Sequence, residues 1–411
     1  MNSQRPSVPP PPPGVTLINP ASLRTVPTSL SQLKYVLFSW THNPLTKRDP
    51  IAQQYFKSKV QMDNFASSLG SFPLTLYEAQ LAKDKPVELF MSGEQCQVFL
   101  DGFEEKMGKT RTKASWNVSA VHDYSTLARD GGVKVWRFPD QETLQERFTQ
   151  LKKSNDFFET MNQYSSLKRA QEVVKHIQGK DNKGEARFIA IDIETWERNH
   201  DLVTEVGFAK STWKDGKFET METRHFVVEE NAKHRNGSFC PDARDHFHFG
   251  RSETLPSSSL CDLLSQELLR PSTPVFLLLH DSRSDLKSLQ LLGLSTASFA
   301  RTSPLPSPEY EEGYLDQTMK GKWLLDTQTL YSGFNRQKKQ AKLGDAAQKL
   351  DISLSDHDRE LEGLGGYSTK SRTKGGKEGD ELRFHNSGND AWATLMLFWK
   401  LMGLKEEEGN A

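Results

Sequence analysis

Cysteine is scarce in this 411-residue chain, which contains only Cys96, Cys240 and Cys261. Their odd number and the lack of a CxxC spacing exclude a secreted disulfide scaffold and favour a reducing compartment, cytoplasmic or nuclear. A run of about eighteen apolar residues is also missing, so we expect no membrane span. Excess charge is lacking as well, since 53 Lys and Arg balance 54 Asp and Glu. Any surface that binds nucleic acid must therefore be a local patch.

Acidic residues are absent from the first 48 positions, a feature typical of a mitochondrial transit signal. Five consecutive prolines, Pro9–Pro13, interrupt any amphipathic helix there, so we favour a disordered Pro-rich tail over residues 1–30. The prolines are also typical of a docking peptide, which leaves open a protein partner with a proline-binding domain. The sequence does not determine the oligomeric state.

Composition and periodicity divide the rest of the chain into three segments. Residues 31–150 are predicted to form a small α/β unit, to which no activity is assigned, and 151–185 a charged helical linker. Residues 186–404 alternate apolar strands with loops. The elements predicted in the small unit are strands at 35–38, 87–91, 96–100 and 133–138 and a helix at 141–151.

The segment 186–404 is predicted to form an α/β domain with a mixed five-stranded sheet flanked by helices. The first three strands would form a meander, and the fourth is followed by a helix. The predicted strands are 187–194, 202–209, 223–229, 274–280 and 323–327.

Two carboxylates end the first of these strands, in Asp192-Ile193-Glu194. Side chains two apart on a strand face the same side, so Asp192 and Glu194 project together. Adjacent carboxylates repel each other unless a cation lies between them, and oxygen ligands suit Mg²⁺ or Mn²⁺. The pair therefore indicates a metal site, although an isolated Asp-x-Glu also occurs at surface strand ends.

Further acids and one histidine follow along the chain. Asp285 lies in the first turn of a predicted helix, where the helix dipole alone also favours a carboxylate. Asp326 ends a strand, and we interpret it as a helix cap. A helix starting near Asn389 would hold Asp390 close to the sheet. His385 lies on the approach to that helix and suits a general base, because imidazole titrates near neutral pH.

Together these residues resemble the motifs of the DEDDh exonucleases: Asp-x-Glu, an Asp after a buried strand, and His-x₄-Asp. The matching positions are Asp192, Glu194, Asp285, His385 and Asp390. A tyrosine in place of the histidine would mark the DEDDy group instead. More narrowly, the segment is similar to a fungal family named Great for Full DEAD-box activity. The runs that carry this similarity are 194–197, 204–207, 247–250 and 385–391.

The resemblance covers residues 186–404 and implies a ribonuclease-H-like fold with two bound ions, Mg²⁺ or Mn²⁺. Asp192, Glu194 and Asp390 would bind one ion, and Asp192 with Asp285 the other. His385 would deprotonate the water that attacks the terminal phosphodiester. The implied activity is 3′-to-5′ hydrolysis of single-stranded RNA or DNA to nucleoside monophosphates.

Thr195 and Trp196 directly follow the Asp-x-Glu pair. They are expected to bind the 3′-terminal nucleotide. Stacking on a base is the functional interpretation of Trp196, and packing against the neighbouring loop is the alternative. Histidines and one cysteine crowd a loop further on, but their spacing is too irregular to predict a zinc site. These residues are His225, His234, Cys240, His246 and His248.

Two classes of function are compatible with the sequence. A metal-dependent 3′-to-5′ exonuclease is favoured, because no carboxylate of the set is missing. The alternative is a catalytically weak or inactive protein of nuclease fold that binds RNA or an RNA-processing partner. The choice between RNA and DNA depends on contacts to the 2′-hydroxyl, which no motif here predicts.

Overall fold

The computed structural model describes only part of the chain, and it divides the chain into two compact units, Met1–Glu159 and Thr160–Ala411. The predicted strands at 35–38 and 96–100 lie outside the described residues. The described residues are 13, 16–18, 28–29, 72–80, 86–92, 95, 133–178, 185–214, 217–218, 221–301, 321–338, 340–353 and 384–403.

The first unit contains an antiparallel sheet whose described strands are Thr16–Ile18 (β1), Thr28–Ser29 (β2), Leu74–Gln80 (β3), Val87–Met91 (β4) and Lys134–Phe138 (β5). Their order is β1-β5-β3-β4-β2. The predicted strands at β4 and β5 are confirmed, and β3 was not predicted. The strands β1 and β2 correct the expected disorder of residues 1–30 at five positions. There the backbone pairs with β5 and β4, and Thr-Leu-Ile in β1 has high β propensity.

One long helix, Gln141–Ile177 (α1), follows β5. The helix predicted at 141–151 and the linking helix predicted after it are therefore continuous, and the proposed boundaries between segments stay a prediction. Its N-terminal half is tied to the sheet by the buried Arg147, which donates to both carboxylate oxygens of Glu78 at 2.7–2.9 Å. Removing either partner would leave a buried, uncompensated charge.

A mixed sheet forms the centre of the second unit. All five predicted strands are present, and three short strands extend the sheet. The strands are Ala186–Trp196 (β6), Asn199–Lys214 (β7), Lys217–Phe218 (β8), Glu222–Val228 (β9), Glu253–Leu255 (β10), Val275–Leu279 (β11), Ala300–Arg301 (β12) and Lys322–Asp326 (β13). Their order is β10-β9-β7-β6-β11-β13-β12, with β8 paired to β7. The meander β6-β7-β9 is antiparallel, while β11, β13 and β12 continue it in parallel. This arrangement confirms the predicted ribonuclease-H-like α/β fold.

Helices cover both faces of this sheet. They are Ser257–Leu268 (α2), Ser282–Leu291 (α3), Thr327–Asn335 (α4), Leu343–Lys349 (α5) and Ser387–Met402 (α6). On one face, Ile189 and Ile191 of β6 pack with apolar side chains of α2 and α3. On the other face, Phe188 and Ala190 pack with α4, α5, α6 and the C-terminal half of α1. None of the helices in the described residues is both long and apolar enough to span a membrane.

Candidate active site

The carboxyl end of β6 presents the first two predicted site residues on the face that α6 covers. The strand alternation that buries Ile191 and Ile193 on the α2–α3 side turns Asp192 and Glu194 to the opposite side. Both carboxylates are half-buried. Because side chains alternate between the two faces of a strand, both carboxylates lie on the same face of the sheet.

Helix α6 supplies the third carboxylate from its first turn. The side chain of Asn386 caps the helix by accepting a hydrogen bond from Asn389 N at 3.1 Å. This start places Asp390 beside β6, and its carboxylate comes within 4.8 Å of those of Asp192 and Glu194. The His385 amide donates to Asp390 Oδ2 at 3.0 Å. Among the described residues, Asp390 Oδ1 has no hydrogen-bond partner although it is buried.

Two glycines allow α6 to come this close. Gly207 of β7 is the register partner of Asp192, and a Cβ atom there would collide with the backbone carbonyl of Ser387. A Cβ atom at Gly388 would lie 2.6 Å from the Phe247 ring. A side chain at either position would therefore push the start of α6, and Asp390 with it, away from β6.

Asp285 approaches from the first turn of α3 and is almost fully buried. Its carboxylate accepts a hydrogen bond from the backbone amide of Ile193. It lies outside the 4.8 Å group of three carboxylates, yet its charge contributes to raising the pKa of both Asp192 and Glu194. The structure thus brings Asp285 to the edge of the same site.

His385 lies at the open side of the site, with its side chain about half exposed. Its Nδ1 atom is 3.9 Å from Glu194 Oε1. The backbone of His385 has φ = 67°, a left-handed conformation that is uncommon for residues other than glycine and asparagine. This turn aims the His385 amide at Asp390 and leaves the imidazole beside Glu194.

Burial and mutual repulsion dominate the electrostatics of the four acids. Burial is the largest cause that raises the pKa of each one, and the charges of neighbouring carboxylates raise it further. For Glu194 the pKa rises to about 7, first by burial and then by the charges of Glu205 and Asp285. All four acids therefore resist ionisation together unless positive charge is added.

The residues present fit a divalent cation. Three carboxylates offer oxygen atoms within 4.8 Å of one another, and the free Oδ1 of Asp390 is a buried acceptor that lacks a donor in the described structure. Oxygen-only donor sets of this kind suit Mg²⁺ and Mn²⁺. No other group of three or more His, Cys, Asp and Glu in the described residues brings its ligand atoms this close together.

A buried ionic network, which the sequence did not predict, lies behind the site. Glu205, the register partner of Glu194, accepts from Arg244 Nε at 3.0 Å and lies 3.0 Å from His225 Nε2. The other ring nitrogen of His225 is 2.7 Å from Ser252 Oγ. All three members, Glu205, Arg244 and His225, are at most 5% exposed. Glu205 belongs to the run 204–207, one of those that carry the family resemblance. The hydrophobic periodicity did not predict that Arg244 and His225 would bind it.

The same network fixes the long loop between β9 and β10. Arg244 donates to the backbone carbonyls of Ala232 and His234 at 2.8 and 2.7 Å. Asn386, at the cap of α6, donates in turn to the carbonyl of Arg244 at 3.0 Å. The loop and the start of α6 are therefore locked to each other beside the carboxylates.

Thr195 and Trp196 directly follow the carboxylate pair, as expected. The Thr195 carbonyl accepts from Asn236 Nδ2 at 3.1 Å, and its hydroxyl is 3.1 Å from His200 Nδ1. The Trp196 ring packs against His234, with 4.4 Å between ring centroids. Both residues are half-buried, and their role in substrate binding stays a prediction.

Asp326 has the structural role that was expected. Its Oδ1 atom accepts from the backbone amides of Gln328 and Thr329 at 3.0 and 3.3 Å and caps α4. Its Oδ2 atom accepts from the amide and hydroxyl of Ser282 at 3.2 and 3.0 Å. Both oxygen atoms thus bind helix N-termini.

Comparison with known families supports the fold. Residues 187–357 match the family model described as DNA polymerase III subunit epsilon-like, C-terminal domain, of the DEDDh group. Over these residues the second unit is similar to a DEDDh exonuclease domain. The match includes Asp192, Glu194 and Asp285 and ends before His385 and Asp390. The tertiary structure brings these last two residues to the site.

The curated relatives are fungal. An uncharacterised nucleolar protein of Schizosaccharomyces pombe is 26% identical over 36% of this chain and 49% of its own length. The Saccharomyces cerevisiae protein named Good for full DBP5 activity protein 2 is 24% identical over 51% of this chain and 34% of its own. An uncharacterised protein of the same yeast is 24% identical over 52% and 40%. The matched regions thus span about a third to a half of these relatives, and the predicted resemblance to this fungal family is confirmed.

Replacing Gly207 by alanine should damage the site without touching a carboxylate. The added methyl group collides with the Ser387 carbonyl, so we expect a loss of about 1–3 kcal/mol of unfolding free energy and weaker Mn²⁺ binding. Urea unfolding and a Mn²⁺ titration measure the two effects. Gly344→Ala is the matched control, because a Cβ atom there meets only the Phe384 ring, at 3.4 Å. A Gly207→Ala protein with wild-type stability and Mn²⁺ affinity would contradict this account.

Without divalent ions, stability should fall as pH rises from about 4.5 to 7. The raised pKa of Glu194, about 7, means that the folded protein holds a proton which the unfolded chain has already lost in this window. This residue alone contributes on the order of 3 kcal/mol to the loss. The raised pKa values of Asp192, Asp285 and Asp390 act in the same direction.

Melting curves in EDTA across this pH range, repeated with Mn²⁺, test the prediction. Mn²⁺ should restore stability most strongly above pH 7, and Asp192→Asn should both flatten the pH profile and remove the Mn²⁺ effect. Asp262→Asn, which changes an exposed carboxylate of α2, should leave both unchanged. A melting temperature in EDTA that increases steadily from pH 5 to pH 7.5 would show that the carboxylates do not repel as described.

Proposed function

We propose that this protein is a metal-dependent 3′-to-5′ exonuclease that hydrolyses single-stranded RNA or DNA to nucleoside monophosphates. The observation that supports this proposal most is the convergence of Asp192, Glu194 and Asp390 within 4.8 Å, with Asp285 at the edge and His385 at the open side. A nuclease needs such a set of oxygen donors next to a base that can reach water. The DEDDh-like match agrees with the same chemistry.

The four acids divide between two Mg²⁺ or Mn²⁺ ions in this proposal. Asp192, Glu194 and Asp390 would hold one ion, and Asp192 with Asp285 would hold the other. Bound divalent ions supply positive charge to the phosphate oxygens and to the attacking and leaving oxygens. The buried Asp390 Oδ1 would then be a metal ligand, while the His385 amide holds Oδ2 by a hydrogen bond.

His385 acts as the general base. Its half-exposed imidazole takes a proton from the water that attacks the terminal phosphodiester, and Glu194, 3.9 Å from Nδ1, orients the ring. A new P–O bond forms, and the bond from phosphorus to the 3′ oxygen of the preceding nucleotide breaks. That oxygen takes a proton from solvent. The products are a nucleoside 5′-monophosphate and a strand shortened by one nucleotide.

A binding role without turnover is the second candidate. One relative is named for supporting the full activity of another protein, DBP5, and the names of the other two state no activity. A domain of nuclease fold that binds RNA or an RNA-processing partner would fit such names. This candidate predicts oligonucleotide binding that is insensitive to loss of His385.

Digestion of 5′-labelled single strands of RNA and DNA tests the proposal. Wild type with Mg²⁺ or Mn²⁺ should give a ladder that shortens from the 3′ end, and EDTA should stop it. Asp192→Asn should abolish the ladder. His385→Asn should lower kcat by about 10²- to 10⁴-fold with Mn²⁺ binding unchanged, because asparagine tolerates the left-handed backbone at this position.

Asp262→Asn serves as the control and should digest like wild type. Digestion that continues in EDTA, or that survives in Asp192→Asn, would show that another site or a contaminant is responsible. Retained binding of the same strands with no shortening in any metal would favour the binding role instead.

A further inference from the structure

An exposed aromatic ring lies on the loop beside the candidate site. Phe239 has 82% of its surface exposed, more than any other large apolar side chain in the described residues. A phenyl ring in water has an energetic cost unless a ligand covers it. Single exposed apolar side chains are common on protein surfaces, so the case for a function of Phe239 rests on the surroundings of the ring.

The loop that carries Phe239 is held rigidly by Glu197. The Glu197 carboxylate accepts hydrogen bonds from the backbone amides of Ser238, Phe239 and Cys240 at 2.9, 2.8 and 3.2 Å. Desolvation opposes its ionisation, but these amides lower the pKa of Glu197 to about 2. The anchor is therefore charged at neutral pH, and the Phe239 backbone has a fixed position although its side chain is exposed.

The same loop is tied to the strand end that carries the carboxylates. Asn236 accepts from the Glu197 amide at 2.9 Å and donates to the Thr195 carbonyl at 3.1 Å. Cys240 lies within the electrostatic reach of Glu194: burial raises the pKa of its thiol to about 11, and the Glu194 charge is the next cause. Phe239 therefore lies on a loop that is anchored to the strand end carrying Asp192 and Glu194.

The surroundings of Phe239 also suit a polyanion with bases. Arg198, in the turn between β6 and β7, is exposed and donates to Ser238 Oγ at 3.2 Å, which places its guanidinium group against the loop of Phe239. Trp196, the residue expected from the sequence to stack on a base, instead packs against His234. The ring of Phe239 is exposed and can stack on a base, whereas the ring of Trp196 is partly covered by His234.

We propose that Phe239 is a stacking platform for one nucleobase of the single strand whose 3′ end enters the carboxylate site, with Arg198 beside the strand's phosphates. The inference rests on the proposed function for the direction of the strand. Stacking on an aromatic ring tolerates any base, because every base has a π face, and it requires a base that is not already stacked in a duplex. Phe239 therefore selects single strands without selecting sequence.

Fluorescence anisotropy of labelled 12-nucleotide single strands, with Ca²⁺ in place of Mg²⁺ to slow turnover, measures the contribution of the ring. Phe239→Ala should weaken binding by about 5- to 150-fold, and Phe239→Leu should be nearly as weak, since it keeps apolar area without a π face. Phe239→Tyr should bind like wild type. Phe334→Ala, which removes an exposed ring from α4, is the matched control. Unchanged affinity in Phe239→Ala or in Phe239→Leu would overturn the proposal.

Strands with a single abasic nucleotide, placed at each position in turn, identify the stacked base. At one position the abasic strand should bind wild type as weakly as the intact strand binds Phe239→Ala, with no further loss in the variant. If no position behaves in this way, the ring does not stack on a base, and the proposal is wrong.

The outcomes for the two proposals can be separated. Wild-type digestion with the same KM in Phe239→Ala would remove the stacking role and keep the exonuclease. Phe239-dependent binding without digestion by wild type would keep stacking and remove the exonuclease. Wild-type protein that neither binds nor shortens single strands would contradict both.

Discussion

The contact between β7 and the start of α6 is the constraint on which the rest of the site depends. At Gly207 the strand backbone touches the Ser387 carbonyl, a distance that leaves no space for a Cβ atom. Gly207 pairs with Asp192 in the sheet, and Asp390 lies in the first turn of α6. The contact therefore joins two carboxylates that are almost two hundred residues apart in the sequence.

Bringing four carboxylates together in a partly buried site destabilises the fold, because the charges repel each other and lose contact with water. Several hydrogen bonds and one ion pair reduce this cost. Backbone amides donate to two of the carboxylates, from Ile193 to Asp285 and from His385 to Asp390. Arg244 forms an ion pair with the nearby Glu205 at 3.0 Å, which offsets part of its charge. Each of these groups lowers repulsion without occupying Asp390 Oδ1, which stays available for a cation. The residual repulsion is what a divalent ion would relieve.

The loop between β9 and β10 connects the two proposals. Arg244 and Asn386 lock one end of it to α6 and to the ionic network. Glu197 locks its tip to the strand that carries Asp192 and Glu194. A loop held at its base and at its tip can position an exposed ring with little loss of backbone freedom on binding. The same hydrogen bonds thus shape the site and present Phe239.

Local sequence patterns predicted the main strands and the helix cap. The long-range partners of individual side chains depend on tertiary contacts and were not predicted. The period of two in β6 predicted that Asp192 and Glu194 share a face, and the apolar runs predicted the five main strands. The cap at Asp326 followed from its position before a helix. The partners of Glu205 and the anchor of Phe239 were not predictable, because Arg244 and Glu197 act across about forty residues of sequence. The strands β1 and β2 were missed because their short runs follow a proline-rich segment.

A crystal structure of the protein grown with Mn²⁺, with anomalous data collected at the manganese edge, would show directly whether these carboxylates bind metal. We expect a strong anomalous peak bound by Asp192, Glu194 and Asp390, including Oδ1 of Asp390, and a second peak near Asp192 and Asp285. An ordered site without any anomalous peak at saturating Mn²⁺, or a peak that lacks Asp390, would contradict this expectation.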